Sequence, residues 1–383
     1  MRYAIVTETY PPEVNGVALT VRELERGLRG RGHEVELVRP RQHRQDPGGD
    51  GQLLTAGLRL PLYAGLRFGL PAAARLRRRW RRNRPDAVYI ATEGPLGWSA
   101  MRAARALGIP VSSGFHTRFD HYMRDYGLPL LQPVALAWMR RFHNRSAATL
   151  VPTRKLRTEL ETLAFSRVVH LARAVDTRRF DPAHRDEALR ARWGLGPDDL
   201  AVIHVGRIAA EKNLELAIRA FRALQALRPD ARFVWVGDGP GMAAIREANP
   251  DFIHCGLQRG EALARHFASA DLFLFPSLSE TFGNVTIEAM ASGLATVAFR
   301  YGAAAEHLRH GAHGAAIDPH DEAGFIAAAC RLSLEDASRR AMGAAARTAV
   351  QSLRPAQVAA DFDAVLHGIA RRGSPADAHA ALA

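Results

Sequence analysis

The sequence predicts an α/β protein made of two Rossmann-like domains, each a parallel sheet with helices on both faces. Short apolar runs alternate with longer amphipathic stretches, which is the pattern of repeated strand–helix–strand units. The periodicity breaks near Asp176–Asp199, where Pro182 and the Gly-rich segment 194–197 interrupt it. The same alternation then restarts, and 383 residues are enough for two domains.

Each apolar run marks a predicted strand, and helical pattern fills the gaps. Val17–Arg29 is predicted to be a helix that ends at Gly30, and a second-half helix starts at Leu214. The strands predicted in the first half are Tyr3–Thr7, Glu34–Val38, Ala87–Ala91, Val111–Phe115, Thr149–Pro152 and Val168–Leu171. Those predicted in the second half are Ala201–Val205, Arg232–Val236, Phe252–Cys255, Leu272–Phe275 and Thr296–Ala298.

These elements define the expected domain organisation. The first domain spans 1–178, the second spans 179–355, a helix at 356–372 crosses back to the first domain, and 373–383 form a frayed tail. Ligands bind at the carboxyl ends of strands in folds of this type. We therefore expect the two domains to face each other across a cleft that holds the site.

Composition excludes several other classes. Cys255 and Cys330 lie far apart, without a neighbouring Cys or His at metal-ligand spacing, so we expect no disulfide scaffold, no zinc site and a reducing cytoplasm. The N-terminal apolar run is short and ends in charge and proline, as in a strand rather than a signal peptide. No run of about 18 apolar residues predicts a membrane span. We interpret Asp361-Phe-Asp363 as a solvated helix face, not a metal site.

The segment from Pro276 to Gly293 carries the strongest local signal. An apolar strand ends there, and a helix is predicted to begin with Asn284 as its N-cap. The free amides at such a helix start form an anion site. Glu280 is then placed to reach sugar hydroxyls and Glu288 to accept from ribose hydroxyls. The alternative is a surface loop with two unrelated acids.

Two cations follow the first strand of the second half. Arg207 and Lys212 are predicted to lie at its carboxyl end, where they could neutralise a diphosphate leaving group. Of the 52 basic residues only Lys155 and Lys212 are lysines. A lysine in an arginine-rich chain suggests that a compact point charge is needed at this position.

Two further positions end strands of the first half. Gly16, in Asn15-Gly16-Val17, permits close backbone approach to a ligand, although the segment is not a GxGxxG dinucleotide motif. His116 follows a predicted strand and is placed on the same cleft. A single histidine is more often structural than functional, and that alternative stays open.

Taken in order, these motifs resemble retaining family 4 glycosyltransferases of GT-B fold over roughly residues 3 to 350. The resemblance rests on Asn15-Gly16-Val17, Phe115-His116-Thr117, Val151-Pro152-Thr153, Val175-Asp176…Phe180, Gly206-Arg207…Glu211-Lys212, Gly237-Asp238-Gly239-Pro240 and Glu280-x7-Glu288. Thr7–Pro12, Thr92–Gly97 and Phe115-His116-Thr117-x-Phe119-x2-Tyr122 resemble the branch of GDP-mannose-dependent mannosyltransferases and sulfoquinovosyl or glycosyl diacylglycerol synthases. One departure is Ala174, where the family usually has glycine before Val-Asp.

The resemblance implies a role for each matching residue. Arg207 and Lys212 would hold the donor diphosphate, Glu288 the ribose, Glu280 the transferred sugar, and His116 would lie near its 6-position. Further donor contacts would come from Gly16 and from the amides of Phe282, Gly283, Asn284 and Val285. The donor would be GDP-mannose or a UDP-sugar, the first domain would take the acceptor, and no metal or other cofactor is expected. The predicted activity is transfer of a hexose, foremost mannose, with retained anomeric configuration.

Charge is unevenly distributed. Residues 1–180 carry 31 Lys and Arg against 15 Asp and Glu, a net charge of +16, whereas 181–383 carry −3. Arg75–Arg84 holds seven arginines, including Arg77, Arg78, Arg81 and Arg82, together with Trp80, and it follows an apolar run with Tyr63 and Phe68. This predicts peripheral contact with anionic lipid on the inner membrane face and a lipid or glycolipid acceptor. The alternative is a solvated helix with codon-biased arginine. Nucleic-acid binding is a third interpretation, although no known nucleic-acid module is present.

Two rival functions remain at this point. A nucleotide-sugar epimerase shares the fold, but the apolar and basic segment argues against it. A non-catalytic membrane- or nucleic-acid-binding protein with a relict donor site is the other rival. Arg207, Lys212, Glu280 and Glu288, all present, argue against that one.

Overall fold

The chain forms two compact domains, which are described by a computed structural model. The first contains Met1–Arg173 and the C-terminal segment from Pro355, and the second is Ala174–Arg354, so the division follows Arg173 rather than residue 178. The structure describes residues 1–13, 15–43, 45–59, 67–118, 129–278 and 280–372. Tyr63, Phe119, Tyr122 and the tail 373–383 from the sequence analysis lie outside these residues.

The first domain is a parallel sheet flanked by helices. Its strands are β1 (Arg2–Val6), β2 (Glu34–Pro40), β3 (Gln52–Thr55), β4 (Gly57–Arg59), β5 (Arg67–Gly69), β6 (Ala87–Ile90), β7 (Val111–Gly114), β8 (Ala148–Val151) and β9 (Val168–His170). The sheet has the order β3-β2-β1-β6-β7-β8-β9, and β4 pairs with β5 as a separate antiparallel ribbon. The helices are α1 (Gly16–Gly30), α2 (Ala73–Arg82), α3 (Pro95–Ala106), α4 (Gln132–His143) and α5 (Arg154–Thr162).

The second domain repeats this architecture. Its strands are β10 (Ala201–Val205), β11 (Arg232–Val236), β12 (Ile253–Gly256), β13 (Leu272–Phe275), β14 (Ala295–Phe299) and β15 (Gly314–Ile317). They run parallel in the order β12-β11-β10-β13-β14-β15. The helices are α6 (Glu187–Arg192), α7 (Leu214–Leu227), α8 (Met242–Ala248), α9 (Gly260–Ala268), α10 (Asn284–Ala291), α11 (Gly302–His307), α12 (Glu322–Leu334) and α13 (Asp336–Val350).

The apolar runs become strands because helices cover both faces of each sheet. Successive side chains of a strand point to opposite faces. In β10, Val202 packs into one core cluster and Ile203 into the other, and both are fully buried. A strand buried on both sides therefore needs a continuous apolar run.

The C-terminal helix α14 (Pro355–Arg372) packs against the first domain. It contacts α1 closely, since a Cβ atom at Gly27 would lie 2.4 Å from the Cβ of Ala359. Asp363 is buried and accepts a hydrogen bond from Tyr3 at 3.0 Å and one from Arg31 at 2.9 Å. The prediction that Asp363 faces solvent is wrong, because this carboxylate anchors the helix to the sheet.

Candidate functional site

The loop after β10 is fixed by the loop after β11. The amide of Ile208 donates to the carbonyl of Asp238 at 3.0 Å, and the amide of Gly241 donates to the carbonyl of Ile208 at 2.9 Å. A Cβ atom at Gly237 would lie 1.8 Å from the carbonyl oxygen of Gly206, so the two loops meet backbone to backbone. Arg207 is thereby held at the carboxyl edge of the sheet, with its side chain exposed.

Lys212 and Glu280 form an ion pair at this edge. Lys212 ends a 3₁₀ turn, and its ammonium donates to Oε1 of Glu280. The hydroxyl of Ser277 donates to the same oxygen at 3.2 Å. Arg207 pairs instead with Glu211, with 3.4 Å between Nη1 and Oε1. The structure therefore brings together two predicted site residues. Lys212 was predicted to bind the diphosphate and Glu280 the transferred sugar.

Helix α10 starts beside Glu280. Its N-cap is Gly283, whose φ of 85° lies in the left-handed region that favours glycine. Asn284 is the first helical residue, so the prediction that its side chain caps the helix is wrong. Within the described part of the chain, the amides of residues 282–285 donate to no acceptor, as expected at a helix start. These amides, with the positive end of the helix dipole, suit an anion.

Glu288 lies one turn inside α10 and is partly buried. Burial raises the pKa of its carboxyl to about 7, and the neighbouring charge of Arg179 opposes this shift. Hydrogen bonds donated by a ligand stabilise the ionised form of a carboxyl group that burial otherwise keeps protonated. The geometry is compatible with the predicted role at ribose hydroxyls, which no contact in the structure tests.

In the first domain, Gly16 is the first residue of α1. Asn15 caps this helix, since its Oδ1 accepts from the amide of Ala18 at 2.8 Å and its Nδ2 donates to the hydroxyl of Thr9 at 2.6 Å. The Asn-Gly pair therefore fixes the helix start and leaves the Gly16 position without a side chain. This arrangement suits close approach of an anion.

His116 is buried, and both of its ring nitrogens have partners. Nε2 lies 2.7 Å from the hydroxyl of Tyr89, and Nδ1 lies within hydrogen-bonding distance of Nη2 of Arg173. Burial and the charge of Arg173 hold the pKa of His116 well below its usual range. The ring is therefore a neutral link between two side chains, and neither nitrogen is open to a sugar hydroxyl while both bonds last.

Several residues near His116 and β1 in the first domain had no predicted role. Tyr89 and Arg173 belong to the cluster around His116. Glu8 is buried and accepts from the amide of Leu96 at 2.9 Å. Burial raises the pKa of Glu8 to about 7 and that of Glu93 to about 8. Both glutamates lie in motifs on which the family resemblance rests, and each follows a predicted strand. That position could have marked them as candidate site residues.

The basic segment forms α2, which has one buried face. Arg77, Arg78, Arg81 and Arg82 are exposed. Trp80 is fully buried instead, and its indole N–H donates to Glu36 at 2.9 Å. The prediction that Trp80 contacts a membrane or acceptor is wrong, because Leu76 and Trp80 lie one turn apart on the core side.

The described residues form neither a metal-binding cluster nor a membrane-spanning helix. Within the ranges that the structure describes, no three His, Cys, Asp or Glu side chains cluster as metal ligands would. The described helices also include none that is long and apolar enough to cross a bilayer.

Comparison with known proteins identifies the family. A model described as Glycosyltransferase Family 4 matches residues 14–179, and one described as Glycosyl transferases group 1 matches residues 199–335. A GDP-mannose-dependent alpha-mannosyltransferase of Corynebacterium glutamicum is 34% identical over 351 residues, covering 90% of this chain and 84% of that protein. An alpha-monoglucosyldiacylglycerol synthase of Acholeplasma laidlawii is 26% identical over 314 residues, covering 77% and 79%.

A solved structure shows the same fold. Sucrose-phosphate synthase of Thermosynechococcus elongatus has a TM-score of 0.76 at 17% identity, over 96% of this chain and 98% of that one. The predicted family branch and the predicted fold class of two Rossmann-like α/β domains are thus confirmed. Because the ordered motifs and a relative of 34% identity agree over most of the length, the chain is a nucleotide-sugar-dependent glycosyltransferase that belongs to family 4 and has the GT-B fold.

Proposed function

We propose that the protein is a retaining, metal-independent hexosyltransferase that moves mannose from GDP-mannose to a membrane glycolipid, with a UDP-sugar as the alternative donor. The Lys212–Glu280 pair beside the start of α10 is the observation that carries the proposal. One side chain there is cationic, as a diphosphate requires, and the other accepts hydrogen bonds, as sugar hydroxyls require. GDP-mannose is the first choice because the relative from Corynebacterium glutamicum carries that donor in its name.

The proposed chemistry is a substitution at the sugar C1 atom. The bond from C1 to the β-phosphate oxygen breaks, and the acceptor hydroxyl oxygen forms the new bond on the same face. Negative charge develops on the departing diphosphate, where Lys212, Arg207 and the amides of residues 282–285 would stabilise it. A phosphate oxygen takes the proton of the acceptor hydroxyl. Fixed cations supply the charge that a metal ion supplies in other transferases.

An exposed apolar face of the first domain supports a membrane acceptor. We define the α4 face as Leu130 and Leu131, which lie in the 3₁₀ turn just before α4, together with Val134 and Trp138 of α4. These four side chains are 88%, 46%, 64% and 51% exposed, respectively. Large apolar side chains left exposed within one short stretch of chain are typical of interfacial anchors. The α4 face replaces Trp80 as the apolar component of the proposed membrane contact.

A basic groove adjoins the α4 face. The rings of Trp98 and Trp138 lie 4.7 Å apart, and the guanidinium of Arg145 lies 5.4 Å from the Trp98 ring. Trp98 also lines a groove of about 480 Å³ whose basic side chains are Arg77, Arg102, Arg105 and Arg145. Apolar anchors next to arginines match a bilayer surface that carries anionic headgroups. We therefore propose peripheral binding to the inner leaflet, through which the enzyme reaches its lipid acceptor.

Donor use is tested by calorimetric titration of the purified protein with GDP, UDP, GDP-mannose and UDP-glucose. The two nucleotide sugars, GDP-mannose and UDP-glucose, are then radiolabelled in the sugar and incubated with anionic vesicles that contain diacylglycerol glycolipids. We expect micromolar binding of one nucleotide class and transfer of label into the lipid fraction with the α configuration. A β-linked product, or no binding of any of the four ligands, contradicts the proposal.

A further inference from the structure

Arg173 is a recessed cation whose nearest polar partner is a histidine. Among the residues that the structure describes, its guanidinium contacts His116 and no carboxylate. Two buried arginines, by contrast, have carboxylate partners, since Arg39 binds Asp46 at 2.6 Å and Arg190 binds Asp271 at 2.9 Å. Arg173 thus differs from these two buried arginines, whose charges have carboxylate counter-ions.

An uncompensated guanidinium is costly. Burial lowers the pKa of Arg173 to about 10, with only the hydroxyl of Tyr89 opposing the shift. The direction of this shift shows that the surroundings disfavour the charge. A charge removed from water without a counter-ion destabilises the fold. The cost is offset if a ligand supplies the missing anion.

The contact with His116 fixes how the guanidinium is presented. Guanidinium nitrogens only donate, so Nδ1 of His116 accepts from Arg173. The neutral ring then carries its proton on Nε2, which donates to the Tyr89 oxygen at 2.7 Å. Gly114 makes room for this bond, because a Cβ atom there would lie 2.2 Å from that oxygen. His116 is therefore a positioning residue that holds one edge of the guanidinium and leaves its other N–H groups to a ligand.

We propose that Arg173 binds one oxyanion of a substrate, a carboxylate, sulfonate or phosphate. The planar fork of N–H donors fits two oxygens of such a group. Arg173 remains partly exposed, so the group can be reached from solvent. The oxyanion belongs either to the acceptor or to the donor, and the experiments below separate these sources. The inference rests on the proposed transferase function for the identity of the substrates, but not for the presence of the anion site.

The site is tested directly by labelling arginine with phenylglyoxal, with and without inorganic phosphate, and quantifying each peptide by mass spectrometry. We expect Arg173 to react and phosphate to protect it several-fold, while exposed Arg178 reacts equally in both samples. An Arg173 that stays unlabelled without phosphate is closed to ligands, and one that phosphate does not protect binds no anion. Either result overturns the proposal, whether or not the protein binds GDP or UDP.

The variant Arg173→Gln separates an anion site from a structural residue. Since it removes an uncompensated charge, we expect the unfolding temperature of the unliganded protein to stay unchanged or rise. We expect KM for the anion-bearing substrate to rise about 10- to 100-fold, which corresponds to one charge-assisted contact. A raised acceptor KM with unchanged donor KM assigns the oxyanion to the acceptor, and the reverse assigns it to the donor. A lowered unfolding temperature with both KM values unchanged shows a structural role and overturns the proposal. Arg178→Gln is the matched control.

Discussion

The ammonium of Lys212 donates a hydrogen bond to Oε1 of Glu280, across 68 residues of sequence and between two loops at the carboxyl edge of one sheet. The bond joins two protein side chains directly. Lys212, which we propose binds the diphosphate, therefore also orients the Glu280 carboxylate, which we propose binds the sugar. Removing either residue therefore changes the other.

The first prediction concerns Lys212→Ala. We expect transfer to fall about 10²- to 10³-fold, the range for losing one preorganised transition-state contact. Glu280 loses its partner, so kcat should fall more than KM for the donor rises. Steady-state transfer assays measure this, with Lys155→Ala as the lysine control. Turnover equal to that of the unsubstituted protein would remove Lys212 from the mechanism.

The second prediction is a pH dependence due to Glu288. The pKa of about 7 in the folded protein lies above the ordinary glutamate value of 4.5, so ionisation of Glu288 costs stability as pH rises from about 4.5 to 7. Ribose hydroxyls donate to the ionised carboxylate, so nucleotide affinity should increase between about pH 6 and 8. Glu288→Gln should bind more weakly at pH 8, and without this increase.

Calorimetric titration with GDP and UDP at several pH values checks the Glu288 prediction. Glu280→Gln is the comparison, because it should impair transfer while leaving affinity for the bare nucleoside diphosphate largely intact. If both variants bind the nucleotide as the unsubstituted protein does at every pH, Glu288 does not contact ribose.

The sequence predicts the fold well where strands are buried on both faces. Ala201–Val205, Arg232–Val236 and Leu272–Phe275 have the same bounds in the prediction and in the structure. Edge elements were missed. Gln52–Thr55 pairs on one side only, and Gly314–Ile317 consists mostly of glycine and alanine, which do not favour strands.

The sequence identified the residues of the candidate site but not which of their side chains contact each other. The sequence shows that Lys212 and Glu280 each follow a strand of the same sheet. It does not show that the two side chains meet, because that depends on the conformations of two loops 68 residues apart. The helix begins at Asn284 as predicted, but its N-cap is Gly283, in a left-handed conformation, rather than the side chain of Asn284. Trp80 was wrongly predicted to contact a membrane. Its spacing of four residues from Leu76 also fits the buried face of an amphipathic helix, which is where both side chains lie.

The third prediction concerns metal removal. If Arg207, Lys212 and the start of α10 stabilise the departing diphosphate, transfer should persist in excess EDTA at its rate in untreated buffer. The measurement is the initial rate after dialysis against EDTA, with and without added Mg²⁺ or Mn²⁺. A rate that falls with EDTA and recovers with either ion shows that the cations do not suffice.

The fourth prediction follows from the burial of Trp80. Trp80→Ala removes a fully buried indole and leaves the Glu36 carboxylate without that donor. We expect a loss of about 3–5 kcal/mol in the free energy of unfolding. Urea unfolding measures it, and Arg78→Gln on the exposed side of the same helix should change stability by no more than about 0.5 kcal/mol. A stable Trp80→Ala would mean that the indole is not part of the core.

The last prediction separates two parts of the proposed membrane contact. Arg77, Arg78, Arg81 and Arg82 are exposed, and each basic group near an anionic bilayer contributes about 1 kcal/mol within a Debye length of about 8–10 Å. Replacing all four by Gln should abolish most binding to anionic vesicles at low salt. Replacing Val134 and Trp138 by Ser should instead reduce the binding that survives high salt, because burial of apolar surface is not screened.

Co-sedimentation with neutral and anionic vesicles, at low and high salt, measures both components. GDP and UDP affinity is the control for folding, since neither set of substitutions lies in the domain proposed to hold the donor. A solvated helix with codon-biased arginine predicts no vesicle binding in any condition. If the unsubstituted protein ignores anionic vesicles at low salt, the membrane proposal fails. The acceptor is then a soluble molecule, and the exposed α4 face needs a different partner.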